Sequence, residues 1–195
     1  MQPKYYGAAA EYNKPAGGSA GGLSGILKIF GIFIGAIIVI AVVLSVVSSI
    51  GKGPQNDFAR LVARMSSLQN LLDKQKGNIR SSDLRTVSAT ALILVSGDTS
   101  TLAKQMRVSF GLEAVPEDIT AAETDTTTDP ELKKAQLTGG FDREYVAVLR
   151  DKIAAAYQLA ETLKAAGGNE ATIDALNKTL VSLDALDSQL TKLAL

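Results

Sequence analysis

The sequence predicts an all-α protein: one N-terminal transmembrane helix, then a four-helix bundle with a long crossover between helices two and three. Three observations carry this prediction. Residues 29–50 read IFGIFIGAIIVIAVVLSVVSSI, 22 residues without a charge. Beyond them, apolar residues return every three or four positions in four separate stretches, the spacing of helices with one buried face. Two short Gly/Asn turns separate the first stretch from the second and the third from the fourth, whereas a polar excursion of roughly 30 residues divides the middle pair.

Composition narrows the chemistry before any motif is considered. The 195 residues, less a membrane segment and a tail, supply one ordinary core. Twenty Lys plus Arg balance twenty Asp plus Glu, so there is no basic field to gather nucleic acid. The absence of Cys and His removes disulfides, thiolate nucleophiles, the usual proton shuttle and the commonest metal ligand.

Residues 1–28 read as a flexible Gly/Ala-rich tail, with Gly17, Gly18, Gly21, Gly22 and Gly25 following Tyr5, Tyr6 and Tyr12. No phosphate-loop register is present in it. Residues 29–50 form the transmembrane helix: at 1.5 Å per residue they span about 33 Å, against a hydrocarbon core of roughly 30 Å. The run exceeds the apolar core of a cleaved signal peptide, which favours an uncleaved signal anchor. Lys28 and Lys52 flank it at headgroup level. Gly31 and Gly35 make a GxxxG pair through which two membrane helices can approach closely, so a homodimer is one expected arrangement. Lys14 and Lys28 before the helix nearly balance Lys52, Arg60 and Arg64 after it. We read the tail as cytoplasmic and the C-terminal domain as extracytoplasmic, because such a domain is translocated largely regardless of its charge.

Residues 51–54 read as a juxtamembrane turn and 55–195 as the bundle domain. Phe58, Leu61, Val62, Met65, Leu68 and Leu72 mark helix one, over about 55–76 and stopped by Gly77 and Asn78. Ser82 or Asp83 caps helix two, on which Leu84, Val87, Ala91 and Leu94 lead to an expected break or kink at Gly97-Asp98. The pattern then resumes through Leu102, Met106 and Phe110. The crossover, about 112–140, reads as a long exposed connection with at most a short helix at 130–137. In it, Glu123, Asp125, Asp129 and Glu131 are weak candidates for a hard cation, without a calcium-loop register. Thr124, Thr126, Thr127 and Thr128 are candidate sugar acceptors. Phe141, Tyr145, Leu149, Ile153, Ala156, Ala160 and Leu163 define helix three, up to Gly167 and Gly168. Asn169 caps helix four, carried by Ile173, Leu176, Leu180, Leu183, Leu186, Leu190 and Leu193. Asn177-Lys178-Thr179 satisfies the glycosylation pattern. Glu144, Glu161, Asp184 and Asp187 read as a solvated face, Tyr145 and Tyr157 as core edge, and Asp57, Asp73, Asp83 and Asp98 as helix-end residues.

The stretch LTGGFDREYVAVLRDKIAAAYQLAETLKAAGG at 137–168, with the NEATIDALNKTLVSLDALDSQLTKLA that follows, resembles the last two helices of exported bacterial ferritin-like proteins of unknown function. Phe141, Asp142 and Tyr145 chiefly carry the resemblance, which covers about a third of the chain and implies ferritin-like topology. Members of that family often carry histidines along these helices, and this chain has none. A di-iron bundle needs carboxylates from all four helices together with Glu-x-x-His pairs, yet helices one and two contain no Glu. No catalytic residue, metal or cofactor is therefore expected. The function expected is that of a non-enzymatic envelope protein, held to membrane lipid, whose bundle engages a protein or other envelope partner. The alternatives are a small-ligand sensor working through a partner subunit, and a vestigial ferritin-like protein without its metal site.

Overall fold

The computed structural model describes residues 53–193. The tail at 1–28, the apolar segment at 29–50 and the Gly31–Gly35 pair lie outside the described residues. Among those described, all regular structure is helical: α1 (Gly53–Gln75), α2 (Ser82–Phe110), α3 (Glu117–Ala122), α4 (Thr128–Leu137), α5 (Phe141–Ala166) and α6 (Glu170–Thr191). None of these helices is long and apolar enough to cross a membrane.

The four long helices close a ring in which α1 and α6 each pack against both α2 and α5. Polar contacts fix their directions. Ser109, near the end of α2, meets Thr172, near the start of α6, at 3.0 Å, so these neighbours run antiparallel. The start of α5 lies against the start of α2, where Arg80 and Ser81 donate backbone N–H groups to Asp142. Consequently α2 and α5 run parallel across one diagonal, and every adjacent pair is antiparallel. The interior is filled by side chains such as Leu61, Met65 and Leu68 of α1, Leu84, Val95 and Leu102 of α2, Tyr145, Leu149 and Ile153 of α5, and Leu176, Leu183 and Leu186 of α6. Apolar residues at three- and four-residue spacing bury one face of each helix, and this burial supplies most of the stabilisation.

Helix ends follow local chemistry. Ser81, rather than Ser82 or Asp83, is the N-cap of α2, its hydroxyl accepting from the Leu84 N–H at 3.3 Å. Asn169 caps α6 as expected, accepting from the Thr172 N–H at 2.9 Å. Gly111 ends α2 at φ 68°, a left-handed conformation in which its N–H bonds the Arg107 carbonyl. At the other terminus, α1 already includes Gly53 and Pro54, which the sequence had assigned to a turn. Pro54 costs nothing there, since first-turn N–H groups have no intrahelical acceptor.

Two further expectations are corrected. Helix α2 runs unbroken through Gly97 and Asp98, because the buried positions Leu84, Ser88, Ala91, Val95, Leu102 and Met106 keep a single spacing across them. A helical glycine weakens a helix without stopping it. The crossover is likewise not a loose excursion: it carries both α3 and α4, each with a buried apolar anchor, Ile119 and Leu132.

Gly97 is exposed, and a Cβ built on it meets nothing within 4 Å. Gly97→Ala should therefore stabilise the bundle by about 0.5–1 kcal/mol, read as a higher midpoint in chemical denaturation. A required kink at this position would make the same substitution destabilising.

Candidate functional site

Phe141, Asp142 and Tyr145 occupy the first turn and a half of α5, and each fastens that helix start to another element. Phe141 and Tyr145 are buried and their rings stack at 5.6 Å. The Asp142 carboxylate accepts from the N–H groups of Arg80 at 3.0 Å and Ser81 at 2.7 Å, two donors in the turn ahead of α2. The Tyr145 hydroxyl shares a buried hydrogen bond of 3.0 Å with Ser88 of α2. Burial pushes the Tyr145 phenol up, and the Ser88 bond only partly opposes this. The phenol therefore stays protonated and serves as a neutral partner in the core.

A second cluster lies where the crossover meets α1 and α5. Arg64 of α1 forks onto Glu123, with Nε at 2.8 Å and Nη2 at 3.3 Å, and its Nη1 donates to the Ala155 carbonyl of α5 at 3.1 Å. Lys152 of α5 reaches Asp125 at 2.6 Å. These four charged side chains line a hollow of about 250 Å³. Farther along the crossover, Lys74 pairs with Asp129, and the amide of Gln75 donates to the same carboxylate. Asp125 also holds the turn ahead of α4, accepting from the N–H groups of Thr127 at 2.8 Å and Thr128 at 3.1 Å and from both hydroxyls. Burial raises the Asp125 pKa, but the bonds from Lys152, Thr128 and Thr127 outweigh it and hold the carboxyl well below the usual carboxylate range.

Three of the four acids considered for a cation are thus committed to Arg64, Lys152 and Lys74. Three of the four threonines are also occupied: Thr124 bonds back to the Thr120 carbonyl, Thr127 and Thr128 serve Asp125, and Thr128 is buried, while Thr126 is exposed. Within the glycosylation pattern, Thr179 is buried in α6 with its hydroxyl on the Ala175 carbonyl.

An open groove of about 550 Å³ lies between α5 and α6, lined in part by Arg150, Asp151, Tyr157, Leu183 and Asp184. Asp187 accepts from Arg150 at 2.8 Å. That bond and the carboxylate charge push the guanidinium pKa up, so Arg150 stays charged. The groove holds no nucleophile beside a base. Asp98 departs from its expected place at a helix end: it sits mid-helix in α2, half-buried against Ser182 of α6. Burial pushes its carboxyl up while the Ser182 bond lowers it. The residues do not fit a di-metal centre, because the inward positions are apolar. Among the described residues, no three Asp or Glu are placed to share an ion.

Compared with protein-family models, curated proteins and solved structures, the chain gives no match.

Two predictions follow from these contacts. Tyr145→Phe leaves the Ser88 hydroxyl buried without its partner and should cost about 1–2 kcal/mol. Adding Ser88→Ala should recover part of that loss, a coupling that a double-mutant cycle in urea measures. For Asp125, the folded pKa lies below the unfolded value of about 3.9, so its contribution is complete above that value and lost as pH falls below it. The stability deficit of Asp125→Asn relative to the parent should therefore be constant from pH 8 to 5 and shrink below pH 4, followed by denaturation across that range.

Proposed function

We propose that this chain is a single-pass membrane-anchored envelope protein whose helical bundle is a non-enzymatic interaction or structural module. One observation carries the reading: each of the five fully buried polar residues among the described residues is spent inside the fold. Gln75 binds Asp129 and Asn78, Ser88 binds Tyr145, Thr128 binds Asp125, Thr172 binds Ser109, and Thr179 binds its own helix backbone. An enzyme or an internal ligand site keeps convergent polar groups turned toward its substrate; these five are committed, and the enclosed Asp98 Oδ2, which has no hydrogen-bond partner, is a single oxygen rather than a convergent set. The apolar run at 29–50 supplies the tether.

The antiparallel pairs and long crossover have ferritin-like connectivity, and Phe141-Asp142-x-x-Tyr145 is read here as its structural latch. The bundle is a metal-free member of that architecture, with the tail cytoplasmic and the bundle extracytoplasmic. Its long-helix surface offers no single large apolar face: Ile93 and Val108, both exposed, stand about 22 Å apart along α2, and Val181 is on α6. A partner therefore meets a polar, charged surface.

The test is protease digestion of intact cells bearing a C-terminal tag, repeated after permeabilisation. Loss of the tag on intact cells is the expected result. Protection until permeabilisation would make the bundle a cytoplasmic module and overturn the envelope assignment.

A further inference from the structure

The crossover is attached differently from everything else in the bundle. Each long helix buries at least five apolar side chains, whereas α3 and α4 bury one each, Ile119 and Leu132. In their place stand ion pairs of one polarity: the acids Glu123, Asp125 and Asp129 are on the crossover, and the bases Arg64, Lys74 and Lys152 are on α1 and α5, the helices it lies against. The Arg64–Glu123 pair is the most enclosed, with side chains only 20% and 16% exposed. Lys152 and Asp125 stand beside it in the same hollow, so two acids and two bases converge there.

We propose that residues 112–140 form a charge-latched strap that lifts from α1 and α5 as one unit while the four long helices stay folded, with Arg64, Glu123, Asp125 and Lys152 as the latch. A segment held by two buried apolar side chains, Ile119 and Leu132, and two partly buried ones, Leu112 and Val115, has little hydrophobic burial to hold it once its ion pairs are weakened. The long helices lose little by comparison, since apart from the exposed Arg150–Asp187 pair their packing rests on buried apolar side chains that screening does not weaken. The trigger is competing charge. Asp125 remains ionised through mild acid, because its hydrogen bonds hold the carboxylate form, whereas raising salt from about 0.1 M to about 1 M shortens the screening length from about 10 Å to about 3 Å. A partner presenting its own charges at this hollow would act as salt does, and would uncover the α1–α5 face. This device is independent of the membrane anchor and of which partner the bundle serves.

Hydrogen exchange read by mass spectrometry on the full chain in detergent micelles tests the strap. High salt, or Glu123→Gln with Lys152→Gln at low salt, should lower protection across 117–137 by about tenfold. Peptides from α1, α2, α5 and α6 should be unchanged. Lys76→Gln, which removes the exposed pair with Asp73 on α1, is the control and should leave 117–137 as it was. Strap protection that ignores both treatments, or strap and long helices losing protection together, would overturn the proposal.

Discussion

The parallel alignment of α2 and α5 across the bundle's diagonal is the constraint on which the rest depends. Adjacent antiparallel helices hold their register through a short turn, but parallel diagonal helices have no such tie and meet only through the core. Here the tie is made by side chains: Asp142 receives the two N–H groups ahead of α2, and Tyr145 meets Ser88 one turn farther in. Both bonds are at the same end of the bundle, so they set the height of α5 against α2. Each hairpin brings its second helix with it, and the ring closes at the opposite end through Ser109, Asn169 and Thr172.

The crossover's length follows from that alignment. A chain leaving α2 must return along the whole bundle before it can start α5, roughly 40 Å at 1.5 Å per helical residue. An extended chain would need only about a dozen residues for this, yet the sequence uses residues 111–140. The surplus is taken up by α3 and α4, which advance slowly and satisfy their own backbone groups. A structureless run of that length would have left those groups to solvent and contributed no burial.

The long helices were legible because burial at three- and four-residue intervals is written locally. Asn169 was legible for the same reason: a cap is chosen by the residue's own chemistry. The signal for α3 was present but slight: Pro116 before Glu117 and Asp118, the proline and acids that favour a helix start. Reading a kink into Gly97 gave too much weight to one residue against an unbroken row of buried positions. The latch and the register bonds were not legible, because Arg64 and Glu123, or Ser88 and Tyr145, are brought together only by the completed fold. Glu123, Asp125 and Asp129 look like an acidic run in sequence because their cationic partners lie elsewhere in the chain.

That redistribution of charge bears directly on function. Buried Ser88 and Thr172 are spent on register, which is where they contribute specificity rather than chemistry. The bundle's ion pairs between different elements, by contrast, gather at two surfaces, the open α5–α6 groove and the edge where the crossover meets α1 and α5. The core gives a rigid support, and a module built this way can change what it presents only at its least apolar attachment. Because the crossover has few apolar anchors and several complementary charges, it is the element whose position other charges can alter without unfolding the four-helix core.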